Sequence, residues 1–156
     1  MFTWLKKLFG IKENPRTLTG DGTWGFTALV DGDDLVVRNA QATWFGGAND
    51  PQDFGETASG INTKRRPDIQ GCALPMAYGP CAGSPLPKVP WGTRVEVTHL
   101  ESGKKITVPV IDLGPAHGTG HAIDLTVAAF KEFAPLVKGK ITVDFRVLGA
   151  ARRLSA

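Results

Sequence analysis

The sequence predicts a mainly β domain, a small barrel of short strands with one or two short helices and long loops. Three observations carry that expectation. Glycine and proline fill 30 of the 156 positions (19 and 11), a density that breaks long helices and suits short strands joined by tight turns. Apolar residues alternate with period two in several separate runs, whereas only one internal stretch carries a helical stripe. With 42% hydrophobic residues and a net charge of +3 the chain is globular rather than disordered. Its length fits one domain that needs no metal or disulfide framework.

Residues 1–22 read as an N-terminal segment and linker, 23–150 as the domain, and 151–156 as a tail. Met1 to Ile11 places Phe2, Leu5, Leu8 and Phe9 at helical spacing, with Lys6 and Lys7 among them. That is a short basic amphipathic helix, suited to an anionic membrane surface or a protein partner through residues 1–12, or a terminus packed on its own domain. The two lysines interrupt the apolar run that a secretory signal needs, and no stretch approaches the length of a membrane span. Asn14 to Gly22 is polar linker.

Phe26–Val30 and Leu35–Arg38 flank a Gly/Asp turn and form the first expected hairpin. Ala42–Phe45 is a further β-prone run, ended by Gly46 and Gly47. From Ala48 to Pro90 the chain reads as one long loop, a length that in a compact domain usually serves function. Arg94–Thr98 and Ile106–Ile111 make a second hairpin, in which Pro109 must face an unpaired edge or a bulge. Thr126–Phe133 is the convincing helix: Val127, Phe130 and Phe133, with Ala134, form its stripe, Thr126 its N-cap and Pro135 its stop. Lys140–Leu148 alternates again, with Ile141, Val143, Phe145 and Val147 on one face.

Eighteen Lys+Arg against 15 Asp+Glu is too mild a bias to imply nucleic acid. The local clusters, Lys64 to Arg66 among them, suit solvated faces or an anionic polymer. Cys72 and Cys81 are too few for a disulfide scaffold. Nine positions apart, they can bridge in an oxidising compartment or remain two free thiols. Their spacing is not that of paired zinc ligands, and no cofactor is implied.

Chemistry concentrates in Ile111 to Thr126. Asp112 and Asp124 each adjoin an apolar strand-like segment, and the Gly-rich linker between them holds His117 and His121. A loop bounded by two strands can bring such carboxylates together, so that one pKa rises toward the range of a general acid. Paired carboxylates are the usual apparatus of glycosidic cleavage. The alternative is that both aspartates cap turns. A metal set of the two histidines with an aspartate is disfavoured, because Gly118 and Gly120 make this a loop rather than a helix face, and His99 reads as packed or solvated.

These residues resemble a known family. Trp91-Gly-Thr-Arg-Val-Glu-Val-Thr98, Ile111-Asp-Leu-Gly-Pro115 and Ala122-Ile-Asp-Leu-Thr-Val-Ala-Ala-Phe130 are similar, in that order, to the barrel of the rare lipoprotein A family and of bacterial expansins. Ala42-Thr-Trp-Phe-Gly46 resembles their first-strand motif, and Thr57-Ala-Ser-Gly60, with Ser59, the element after it. The resemblance covers about residues 37–148 and implies a six-stranded double-psi β-barrel. It implies Asp124 as the essential acid, Asp112 lining the same groove and Thr43 facing it. Trp44, Trp91 and Tyr78 are candidates to stack on sugar faces; His117 and His121 are candidate partners of the acid. Three departures stand out: Ser84 to Trp91 replaces the family's histidine-bearing segment, Gly114 replaces an expansin aromatic, and residues 68–87 form an insert.

The resemblance implies a barrel acting on peptidoglycan or a related polysaccharide at the cell wall, by cleavage of the lytic transglycosylase type. A non-catalytic, expansin-like wall-loosening module is one alternative. A part of a phage or secretion assembly is the other.

Overall fold

The computed structural model describes residues 16–47 and 54–155. Among them are eight strands: β1 (Thr17–Leu18), β2 (Ala28–Asp31), β3 (Asp34–Phe45), β4 (Cys72–Leu74), β5 (Arg94–His99), β6 (Lys105–Leu113), β7 (Ile123–Thr126) and β8 (Ile141–Val147). One short helix, α1 (Val127–Lys131), follows β7, and 3-10 turns occupy Gly79–Cys81, Leu136–Lys138 and Ala150–Ser155. Six of the strands close a barrel in the order β3-β7-β4-β6-β5-β8, with β8 pairing back onto β3. The hairpin of β1 and β2 extends the sheet from the first half of β3.

The connections define the fold. β7 runs parallel to β3 and β4 parallel to β6, while β4 and β7 are antiparallel neighbours between them. The chain leaving β3 therefore passes over the place of β7 to reach β4. Leaving β6, it passes over β4 to reach β7. Two such interlocked crossings make this a double-psi barrel.

Alternation sorts the residues between core and surface. Ala42, Cys72, Leu74, Ile123 and Leu125 are fully buried, together with Val95, Val97, Val108, Val110, Val143 and Phe145 from the other strands. The second hairpin falls where alternation placed it. Val110 donates its N–H toward β5, to Thr93 O at 2.9 Å, so the Pro109 nitrogen faces the other side. There β4 begins to pair only at Val110, and the missing donor of proline disrupts no ladder. Thr126 caps α1 by accepting the Ala129 N–H at 3.3 Å, and Phe130 is buried beneath the helix.

Several expectations change. The run Ala42–Phe45 is no separate strand: β3 continues into it through a bulge at Arg38 and Asn39, where the register with β8 shifts and Asn39 has φ +53. The Ala48–Pro90 stretch contains β4, three residues too short to show a period. The polar linker contributes β1, and the expected tail enters the 3-10 turn, where Ala150 is buried and Leu154 packs on the core. The amphipathic segment 1–12 lies outside the described residues. No described helix is long and apolar enough to cross a membrane.

Of the two states left open for Cys72 and Cys81, the structure shows two free thiols, both buried. Cys72 points into the barrel interior from β4, where burial pushes its thiol far above the ordinary range. Cys81 sits on the 3-10 turn, its Sγ 4.0 Å from the Pro115 carbonyl oxygen.

Phe130→Ala would leave a void under α1 and is expected to lower unfolding free energy by about 3–5 kcal/mol. Val137→Ala, at a side chain 94% exposed, is expected to stay within about 0.5 kcal/mol of wild type. Denaturant unfolding of the two variants checks the contrast.

Candidate functional site

Four neighbouring strands place one residue each in a single row. Thr43 of β3 pairs in register with Asp124 of β7, Asp124 with Ala73 of β4, and Ala73 with Asp112 of β6. Register partners point to the same face of a sheet. Their sequence neighbours Ala42, Ile123 and Cys72 belong to the core, as does Val110 of β6, and the register with β4 shifts between Val110 and Asp112. Thr43, Asp124 and Asp112 are each half-buried, and Ala73, with only a methyl group, forms a low floor between the two carboxylates. One strand separates the aspartates, so their main chains lie about 10 Å apart, two strand spacings.

The two carboxylates differ in environment. Asp124 Oδ1 accepts a short hydrogen bond from the Thr43 hydroxyl. Burial is the main influence on Asp124 and raises its pKa; the Thr43 bond and the charge of His121 oppose that rise, and the charge of Asp112 adds a smaller upward push. The carboxylate pairing expected from the sequence is therefore a minor influence, in keeping with the strand between the two groups. Asp112 Oδ1 accepts the N–H of Leu113 at 2.9 Å and the N–H of Ala58 at 2.9 Å.

Ala58 belongs to the turn Thr57–Gly60, which docks on β6 beside the row. Ser59 donates its N–H to Ile111 O at 3.2 Å, and its hydroxyl lies 3.0 Å from that of Thr57. Gly46 and Gly47, which follow β3, allow two further close approaches nearby. A Cβ on Gly46 would stand 2.6 Å from Thr63 Oγ1, and one on Gly47 2.9 Å from Val127. Both glycines have positive φ.

Thr43, Asp124 and Asp112 thus share one face of the sheet, with Ser59 on the turn docked beside them and the charge of His121 felt at Asp124. The other candidates lie elsewhere. Trp44, next to Thr43 in an extended strand, points to the opposite face, where it packs on the core and donates its indole N–H to Leu136 O at 3.1 Å. Tyr78 also packs against the core, with Lys88 Nζ 4.6 Å from its ring centroid. Trp91 stands exposed in the turn before β5. His117 turns to the N-terminal arm, the described residues 16–31 that carry β1 and β2: its Nε2 lies 2.8 Å from Thr23 Oγ1, and its ring meets Trp24 edge-on at 4.7 Å. His99 is buried, its Nδ1 2.8 Å from Ser102 Oγ.

Ala73 and the Ala58 N–H are the contributors that sequence reasoning missed. A small residue in the brief β-prone run after Gly71 was the available signal for the first. Among the described residues no three His, Cys, Asp or Glu side chains cluster as a metal site would.

A closed barrel with two crossed connections, and with two aspartates in one row over its central strands, defines a double-psi barrel. Residues 38–145 match the model of the family described as lytic transglycolase, and the chain belongs to that family. Over 60 residues, 38% of the chain, it is 38% identical to a probable endolytic peptidoglycan transglycosylase RlpA of Aquifex aeolicus, of which the matched stretch spans 26%. Among solved structures, the Streptomyces papain inhibitor aligns at 30% identity and a TM-score of 0.48, over 70% of this chain and 92% of that one. An expansin of Clavibacter michiganensis aligns at 20% identity and a TM-score of 0.45, over 69% of this chain and 48% of that one.

The sign of the Asp124 shift sets a stability signature. A carboxyl held above its ordinary pKa stabilises the fold while protonated, and that contribution is lost as pH rises through the folded-state value. Asp124→Asn is therefore expected to be more stable than wild type at neutral pH, with the gap closing below about pH 4. Thr43→Val, which removes a hydrogen bond to the ionised form, is expected to raise the Asp124 pKa further. Unfolding at several pH values and a carboxyl NMR titration read the two effects.

Proposed function

We propose that this barrel binds peptidoglycan and cleaves its glycan strand as a lytic transglycosylase, with Asp124 as the single general acid/base. The observation that carries the proposal is Asp124 itself, half-buried beside Thr43 on the face it shares with Asp112, with its pKa raised mainly by burial. A general acid for a glycosidic oxygen must keep its proton near working pH, and burial works in that direction. Family membership and the similarity to the Aquifex aeolicus transglycosylase support peptidoglycan as the substrate class.

In this reaction protonated Asp124 gives its proton to the bridging oxygen as the C–O bond breaks. The resulting Asp124 carboxylate then takes the proton of the sugar's own 6-hydroxyl, whose oxygen closes on the anomeric carbon. The products are a free chain end and a 1,6-anhydro sugar, no water is consumed, and Asp124 ends protonated as it began. Thr43 orients the carboxyl. Asp112, one strand away, supplies negative charge beside the cationic transition state and anchors the Thr57–Gly60 wall of the groove.

A grip without cleavage is the second reading. It draws on His117, which Thr23 holds at the arm rather than beside Asp124.

Wild type incubated with purified sacculi is expected to release anhydro-muropeptides, detected by mass. Asp124→Asn is expected to lower their yield at least about 100-fold while still sedimenting with sacculi. The wild-type rate should fall as pH rises through the Asp124 pKa. Sedimentation without new fragments from either protein would replace cleavage with the second reading, and no sedimentation would remove both.

A further inference from the structure

A cleft of about 630 Å³ opens between the N-terminal arm and the β3 bulge, lined in part by Phe26 and Thr27 of the arm, Arg38, Asn39 and Gln41 of β3, and Gly120 before β7. It continues the groove already described. Gln41 lies two residues before Thr43 and so on the same face of β3, and Ala122, two residues before Asp124, lines the cleft as well. From Arg38 to Thr43 is roughly 16 Å along the strand, room for a few sugar units of a bound glycan.

The arm wall lies outside the stretch matched by the family model, which begins at residue 38. It is also fixed in place. β1 and β2 tie it to β3, and the Asp21 N–H donates to Gly83 O at 2.8 Å. The Thr23 hydroxyl donates to Asp21 Oδ1 at 2.6 Å. With that proton committed, Thr23 Oγ1 accepts from His117 Nε2 at 2.8 Å. The arm is thereby fastened to the loop that leads into β7.

Arg38 is the only charged side chain among the lining residues. It is exposed and makes no ion pair with any described residue. The acids nearest in the fold are engaged: Glu96 lies 3.9 Å from Arg146, and Asp144 Oδ1 accepts the Asn39 N–H at 2.9 Å. That last bond holds the bulge from which Arg38 projects. A guanidinium with its donors uncommitted favours a planar oxyanion, which it can bind bidentately. The partly buried Phe26 supplies an apolar wall, and the cleft volume falls within the usual range for small-ligand sites.

We infer that this cleft is a subsite for a carboxylate-bearing sugar unit of the glycan, with Arg38 as its specificity-determining residue. The inference rests on the glycan-groove reading above and adds to it the chemistry of one unit. The carboxylate is the sugar's own or belongs to a peptide attached to it.

Calorimetry on the Asp124→Asn protein, which leaves ligands uncut, tests this with three tetrasaccharides. One is chitotetraose, which is neutral; one contains muramic acid with a free sugar carboxylate; the third is the same glycan bearing stem peptides. At least one carboxylate-bearing glycan is expected to bind about tenfold more tightly than chitotetraose, and which one does so identifies the carboxylate. The preference should shrink as salt is added. Adding Arg38→Ala is expected to abolish it while chitotetraose affinity stays within about twofold, and Arg38→Glu should reverse it. Arg38 is exposed, so these variants keep the fold, and thermal unfolding verifies that. Equal binding of all three ligands, or a preference that survives Arg38→Ala, would overturn the inference and leave the glycan groove standing. No binding of any ligand, together with no sedimentation on sacculi, would remove the groove reading and the subsite with it.

Discussion

The placement of β4 is the constraint on which the site depends. Its three residues lie between β7 and β6 and present Ala73 to the groove and Cys72 to the core. A slip of one residue would exchange those faces, putting a thiol between the carboxylates and a methyl group into the core. The strand is held against such a slip by a reciprocal pair. Gly71 donates its N–H to Thr126 Oγ1 at 3.1 Å, and Thr126 donates its own to Gly71 O at 3.0 Å. The same Thr126 hydroxyl caps α1. Gly71 has no room for a Cβ, which would meet Ile111 at 2.9 Å. The end of β7, the start of β4 and the first turn of α1 are thus one device, and the groove floor is its product.

The crossed connections also decide the electrostatics. Neighbouring parallel strands would bring the two aspartates to one strand spacing and couple them strongly. With β4 between them they stand about two spacings apart, and each takes its character from its own surroundings. Asp124 faces partly buried space and a hydroxyl, whereas Asp112 faces main-chain N–H groups. The row therefore holds one carboxyl whose pKa burial raises and one carboxylate anchored by main-chain N–H groups, an arrangement that suits a reaction in which a single residue donates a proton and takes another back.

Much of the barrel was legible because alternation survives in strands of six or more residues. β5, β6 and β8 lie where their Val and Ile periods place them, and the capping hydroxyl and buried stripe locate α1. β4 was not legible, since three residues hold no period and its neighbours Gly71 and Pro75 read as loop. The row was less legible still, because positions 43, 73, 112 and 124 become neighbours only through the two crossings. The resemblance reached Thr43, Asp112 and Asp124 because the order of those motifs is tied to the crossings. Aromatic candidates chosen by residue type fared differently. Trp44 follows Thr43 in an extended strand and so must take the opposite face, which residue type alone does not reveal.

The Gly-rich linker between the aspartates has a different role from a free lid. Gly118 and Gly120 adopt positive φ, so the chain turns sharply between His117 and His121 and presents the two rings to different partners. His117 accordingly meets Thr23 and Trp24 on the arm, while the charge of His121 is felt at Asp124. The segment entering β7 is tethered to the arm at one end and joined to the acid at the other. The groove that results has polarity. Its Asp112 end meets the main-chain N–H of a docked turn, and its far end meets the arm, where Arg38 is the only charged side chain lining the cleft. On the proposed reading, a glycan with a repeating charge would lie along this face in one preferred direction and register, and the arm would set which bond of the strand rests against Asp124.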